Sequence, residues 1–170
     1  TGTPTVGGTF MANISATNAG GTGSATLTIT LNPASQVITF PAQSPASRAF
    51  SPSPTNTFDI SPLAGSSSGL IVSYVSKTAG VCSVSGITVT MVAAGVCTIG
   101  ANQAGNSSFT IATEVTRDVT INAILPGAPV IGTGTPGNNQ AVIAFTAPGN
   151  TGGTAITSFT ASCTPSGSGT

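Results

Sequence analysis

The fold is decided by residues 10–31, which read FMANISATNAGGTGSATLTITL. Apolar residues occupy every second position from Phe10 to Ala16 and again from Ala25 to Leu31. A period of two places one face of a strand against a core and the other in water. The stretch between the two runs is rich in Asn and Gly, which favour turns. Residues 10–31 therefore predict a hairpin of two amphipathic strands, which needs further partners because two strands alone are marginally stable in water.

Short alternating runs separated by turn residues continue along the chain, and no stretch has helical periodicity of useful length. Residues 41–56 carry four prolines, which predicts an edge or a loop because proline cannot donate a ladder hydrogen bond. About seven strands are expected over residues 33–122, the size of one β-sandwich. The predicted fold class is all-β. Further strands are expected at residues 36–40, 58–60, 70–75, 81–84, 87–91, 96–101, 115–121, 130–131, 141–145 and 156–163.

The composition narrows the range of functions. The 170 residues include three basic side chains, three acidic ones and no histidine, so the net charge is zero. Without a basic stripe, nucleic-acid binding is not expected. General acid–base catalysis and metal ligation have almost no side chains to use, so we expect neither an enzyme nor a cofactor or metal site. A hydrophobic fraction of 39% with zero net charge predicts a folded chain rather than a disordered one. No apolar run in the sequence is long enough to cross a bilayer.

Three segments resemble tandem repeats of large bacterial surface and secreted proteins. Residues 9–31, with an aromatic strand, an Asn-x-x-Gly turn and a Ser-Ala-Thr-Leu strand, resemble the last hairpin of a bacterial immunoglobulin-like domain. Residues 36–121 resemble a second repeat of this kind, through Gln36–Phe40, Gly80–Gly86 and Val92–Ile99 among others. Residues 126–165 are similar to the first three strands of a fibronectin type III domain.

The resemblance implies tandem β-sandwiches of which the terminal ones are incomplete. The expected organisation is a C-terminal hairpin of an Ig-like domain at 1–32, a complete sandwich at 33–122, a linker at 123–129 and N-terminal fibronectin-like strands at 130–170. The linker contains two prolines and is expected to be semi-rigid. We also expect the chain to be a window of a longer polypeptide.

Cysteines define the candidate sites that the resemblance suggests. The resembling repeat carries cysteines at the positions of Cys82 and Cys97, where they form a disulfide, and such a bond implies an oxidising compartment. Two free buried thiols or a metal site are the alternatives. A bridge would close a loop of about 15 residues, worth roughly 3 kcal/mol in the chain-entropy model. Cys163 either has its partner beyond residue 170 or is a free thiol.

The few charged residues offer weaker candidates. Arg117 is in phase with neighbouring apolar residues, which suggests either a buried ion pair with Glu114 or Asp59, or an arginine that reaches out to water. The acids Asp59, Glu114 and Asp118 are too few for an expected calcium site. Lys77 is the single lysine. A Lys–Asn isopeptide bond there would need a buried carboxylate beside it.

Two classes of function follow from these expectations. The first is a non-catalytic structural segment of an extracellular or cell-surface bacterial protein, acting as a spacer or stalk or as a subunit of a filament or sheath. Its expected partners are neighbouring repeats of the same chain and identical subunits in a fibre. The alternative is an adhesin or a carbohydrate-binding accessory module, which the lack of tryptophan and the single tyrosine, Tyr74, count against.

Overall fold

The computed structural model describes residues 6–138 and 140–161, and within them the chain is all-β and contains no helix, as predicted. The described strands are β1 (Gly8–Asn18), β2 (Gly21–Leu31), β3 (Ile38–Thr39), β4 (Ser47–Ala49), β5 (Thr57–Asp59), β6 (Gly65–Ser66), β7 (Ser73–Ser76), β8 (Cys82–Ser85), β9 (Thr88–Met91), β10 (Gly95–Asn102), β11 (Val115–Asn122), β12 (Val130–Gly137) and β13 (Gln140–Thr146).

The predicted hairpin is present as an antiparallel ribbon of β1 and β2. Phe10 lies opposite Ile29, and Ile14 lies opposite Ala25. Cross-strand partners share a face, so the apolar residues of both strands line one side of the ribbon. In the turn, the Asn18 side-chain oxygen accepts a hydrogen bond of 2.8 Å from the Gly20 amide. The ribbon is exposed on both faces along nearly its whole length.

Two sheets and a small strand pair form the central part of the chain. The larger sheet has the strand order β4–β11–β10–β7, the second has the order β5–β9–β8, and β3 pairs with β6. Every second residue of β9 is buried, as the alternation predicts, and so are four of the eight residues of β10. The sheets share a core in a sandwich-like arrangement. Its buried hydrophobic members are Ile38, Phe40, Ile60, Cys82, Val89, Met91, Cys97, Ile99, Ala101, Ala112, Val119 and Ile121.

Several central strands differ from their predicted bounds. The strand expected at residues 36–40 is reduced to β3, and the one expected at 70–75 begins only at Ser73. The proline-rich stretch contributes the three-residue β4, which pairs in parallel with the end of β11 at the edge of its sheet. Proline in the flanking segments limits how far such an edge strand can extend.

The last part of the described chain is the antiparallel hairpin of β12 and β13, whose register shifts between Ile131 and Gly134. The prediction of a strand at residues 156–163 is wrong for residues 156–161, which are not in a strand. Phe159 contacts the Phe145 ring, with centroids 4.9 Å apart, so its apolar side chain has a contact without its backbone joining a ladder. Cys163 lies outside the described residues.

Candidate functional site

A disulfide joins Cys82 to Cys97, with their Cα atoms 5.7 Å apart. Cys82 opens β8 in the three-stranded sheet and Cys97 lies within β10 in the four-stranded sheet, so the bond connects the two sheets. Both residues are fully buried. The sequence left a disulfide, two free thiols or a metal site open for these cysteines, and the structure contains the disulfide.

Hydrogen bonds hold the chain around Cys82. The Ser76 hydroxyl donates to the Cys82 carbonyl oxygen at 2.7 Å, and the Cys82 amide donates to the Thr78 carbonyl at 3.0 Å. The Thr78 hydroxyl oxygen also accepts a hydrogen bond of 3.0 Å from the Thr98 amide. Thr98 directly follows Cys97, so the segment after β7 orders both ends of the cross-link.

An ion pair lies on the outer face of the four-stranded sheet. Lys77 Nζ is 2.9 Å from Glu114 Oε1, and the two side chains are 45% and 29% exposed. Glu114 lies over Gly100, where an added Cβ would be 2.9 Å from its Oε2. The hydrogen bond from Lys77, followed by one from Asn102, lowers the pKa of Glu114 below its ordinary value. Glycine at position 100 thus leaves room for the carboxylate.

Arg117 does not form the ion pair with Glu114 that was one of its two predicted roles. Its side chain is exposed and donates a hydrogen bond of 2.9 Å to the Thr116 carbonyl. On one side of β11, Arg117 lies opposite Ile99 of β10. On the other side, β4 pairs with β11 only from Thr120 onward and does not reach Arg117. Arg117 therefore stands at an open edge and reaches water, the other predicted role.

The remaining acidic residues are separated from one another. Asp118 accepts a hydrogen bond from the Thr98 hydroxyl, and Asp59 accepts one from the Thr88 hydroxyl, both at 2.7 Å. Within the described ranges, no three cysteine or acidic side chains cluster in a way that suits a metal ion. The carboxylate beside Lys77 belongs to Glu114, which is partly exposed. It is not the buried carboxylate that an isopeptide bond requires.

The Lys77–Glu114 pair predicts a specific dependence of stability on pH. Because the folded-state pKa of Glu114 is lowered, its stabilising contribution is complete above the unfolded-state pKa and is lost as the pH falls through the folded-state pKa. We expect Glu114→Gln to remove this part of the acid sensitivity. Denaturant midpoints measured at a series of acidic pH values should fall less steeply for the variant than for the wild type. Lys77→Met should likewise reduce the fall of the denaturant midpoint over the same pH interval. If the midpoints of the wild type and both variants fall equally steeply with pH, the ion pair does not have this role.

The N-terminal hairpin is joined to one end of the central sheets. Directly after it, Ala34 donates to the Ser108 carbonyl at 2.8 Å and accepts from the Thr110 amide at 2.9 Å. The buried Gln36 side chain donates to Gln103 Oε1 at 2.6 Å and to the Thr110 carbonyl at 2.7 Å. These contacts form the first junction, which lies beyond the C-terminal end of β10.

A second junction holds the C-terminal segment at the other end of β10. The Gly153 carbonyl accepts a bond of 2.8 Å from the Ala94 amide, directly before β10 begins. The Gly152 carbonyl accepts one of 2.9 Å from Ile124, and the Asn150 carbonyl one of 2.8 Å from Gly127. Residues 123–129, predicted to be a semi-rigid linker, are therefore hydrogen-bonded at two points to the loop that follows β13.

Only glycine fits the centre of the second junction. Gly152 and Gly153 are buried and have φ values of +74° and +90°. A Cβ at Gly153 would lie 2.7 Å from Cγ of Phe50, and one at Gly152 would collide with the Ile124 carbonyl oxygen. Side chains rarely adopt such φ values. In the sequence, the adjacency of Gly152 and Gly153 is the local signal of such a backbone conformation.

Comparisons with known proteins give no relative for this chain: no family model, no curated protein and no solved structure matches it. The part of the chain that the structure describes has no helix of the length and apolarity needed to cross a membrane.

Proposed function

We propose that this chain is a non-catalytic structural segment of a large extracellular bacterial protein, acting as a spacer or stalk. The observation that carries the proposal is the pair of junctions at opposite ends of β10. Each junction fixes a flanking segment to the central sheets by backbone hydrogen bonds of 2.8–2.9 Å. A spacer needs such joints because unrestrained linkers would let adjacent units reorient freely.

The central sheets supply a continuous path between the junctions. β10 runs from the second junction to the first, is paired on both sides by β7 and β11, and is cross-linked to the other sheet through Cys97. Tension applied to the flanking segments would therefore load a buried, cross-linked strand. This arrangement favours a mechanical role.

An extracellular location is supported by the disulfide and by the surface chemistry. Structural disulfides persist in oxidising compartments and are rare in the cytosol. The six charged residues all lie between Arg48 and Asp118, so the flanking segments have uncharged surfaces in which serine and threonine supply most of the polar groups. The alternative of a carbohydrate-binding module receives no support from Tyr74, whose ring packs on Phe40 and whose hydroxyl accepts a hydrogen bond of 2.7 Å from Ala64.

The substitution Gly153→Val tests whether the second junction is rigid. The new side chain would collide with Phe50 and force a non-glycine residue to φ +90°, a backbone strain of about 1–3 kcal/mol. We expect the Ala94, Ile124 and Gly127 amides, protected from hydrogen exchange in the wild type, to exchange about ten- to a hundredfold faster. Small-angle scattering should show a wider distribution of intramolecular distances.

Gly149→Val is the matched control. An added Cβ at Gly149 meets nothing within 4 Å, so both the exchange rates and the scattering should stay as in the wild type. If the three amides of the wild type exchange as fast as those of an unstructured peptide, the junction is not rigid and the spacer proposal fails.

A further inference from the structure

Among the strand pairs that the structure describes, β4 and β11 form the parallel one. Backbone hydrogen bonds extend this pairing at both of its ends. The Thr120 amide donates to the Ala46 carbonyl at 3.0 Å, and the Phe50 amide donates to the Asn122 carbonyl at 2.8 Å. We call the pairing of β4 with β11, including these two bonds, the parallel patch.

The two junctions determine the direction in which tension would load the parallel patch. The chain enters the central sheets at the first junction, where Ala34 forms a parallel bridge with Phe109, and leaves them at the second junction. Because β11 is antiparallel to β10, both β11 and β4 run from the first junction towards the second. Tension from the flanking segments therefore pulls β4 from its N-terminal end and β11 from its C-terminal end, in opposite directions along the strands.

This geometry loads all the hydrogen bonds of the patch together. The bonds join neighbouring strands sideways, so sliding one strand along the other strains every bond at once. An antiparallel hairpin that is pulled apart at its open end loses its bonds one after another instead. The β1–β2 ribbon has this second geometry, because Gly8 and Leu31 are paired at its open end. The same chain thus contains an element that shears and an element that unzips.

Side chains attach the parallel patch to the rest of the central sheets. The Arg48 guanidinium of β4 lies 4.4 Å from the ring centroid of Phe58, which is on β5 in the other sheet. Ile121, the register partner of Arg48, is 1% exposed. The Phe50 ring lies so close to Gly153 that it adjoins the second junction. Sliding β4 along β11 would therefore break core contacts as well as hydrogen bonds.

We propose that the parallel patch is a mechanical clamp that keeps the central sheets folded while the chain is under tension. The proposal rests on the proposed spacer function and names the element that bears the load. The disulfide limits what tension can extend after the clamp has opened. Force passes from Cys82 to Cys97 through the bond, so residues 83–96, which include most of β8 and all of β9, stay unextended.

Force spectroscopy of the whole chain, held at its two ends under constant tension, tests the proposal. The two hairpins should open first in short steps, because they unzip, and the central sheets should extend later in one longer step. The double variant Cys82→Ala and Cys97→Ala should lengthen that step by roughly 50 Å, because 15 more residue spacings become extensible. This change in length identifies the step that belongs to the central sheets.

Thr120→Pro tests the clamp itself. Proline removes the amide that donates to Ala46. Forced unfolding follows the unfolding rate, so losing this bond should shorten the lifetime of the folded central sheets under constant force about three- to tenfold.

Thr116→Pro is the matched control. Thr116 lies four residues earlier on the same strand, so its amide faces the same edge, but β4 does not reach it. The lifetime of this variant under force should stay as in the wild type. Protected β10 amides in both proline variants would show that the central sheets are folded before force is applied.

Equal lifetimes of the two proline variants would overturn the proposal. So would a wild type whose central sheets extend before its hairpins, a result that needs no substitution. Protection of the junction amides is measured without tension, so either result leaves the spacer proposal standing.

Discussion

Replacing both Cys82 and Cys97 with alanine is expected to lower the free energy of unfolding by about 3 kcal/mol. The bond closes a loop with a sequence separation of 15, and its loss enlarges the conformational freedom of the unfolded chain. Both residues are also fully buried between the sheets, so the truncated side chains leave unfilled volume in the core. Denaturant unfolding of the wild type and the double variant measures the loss directly.

Ser83→Ala is the control for this experiment, since Ser83 is an exposed neighbour on β8 and its loss should change stability by less than about 0.5 kcal/mol. The double variant should also be indifferent to reductant. Alkylation of the denatured wild type before reduction should leave Cys82 and Cys97 unmodified. Modification of both at that stage would show that the sheets are not cross-linked.

Phe40→Ala is expected to cost still more, about 3–5 kcal/mol. Phe40 is only 1% exposed to solvent, and the centroid of its ring lies 5.6 Å from that of Tyr74. Removing it leaves a cavity in the core and takes away the ring that packs on Tyr74, whose hydroxyl accepts the hydrogen bond from the Ala64 amide. Chemical denaturation with tyrosine fluorescence reports both the lost stability and the changed environment of Tyr74.

Ile71→Ala provides the comparison, because Ile71 is equally apolar in character but 91% exposed. Its truncation should shift the unfolding free energy by no more than about 0.5 kcal/mol. Equal effects of the two substitutions would mean that Phe40 is not part of the core.

Long alternating runs were predicted well because their signal is repeated over many residues. The predicted β1–β2 hairpin and the strands at 96–101 and 115–121 are confirmed, with bounds that differ by at most about two residues at most ends. Short runs gave mixed results. The strands predicted at 81–84 and 87–91 are confirmed as β8 and β9, whereas β6 was not anticipated and residues 156–161 alternate without forming a strand. A strand exists only when a second backbone is present to pair with it, and a short run does not encode that partner.

The all-β class, the N-terminal hairpin and the confinement of charge to the middle of the chain follow from the amino-acid order alone, because each depends on residues that are close together in the chain. Three other features depend on how the strands pack. The Cys82–Cys97 disulfide joins the two sheets, Lys77 rather than Arg117 pairs with Glu114, and Gly152 and Gly153 form the second junction. These contacts join residues from 15 to more than 50 positions apart. These contacts depend on which strands become neighbours. The alternation of apolar and polar residues shows that a segment forms a strand, but it does not show which other strand lies beside it.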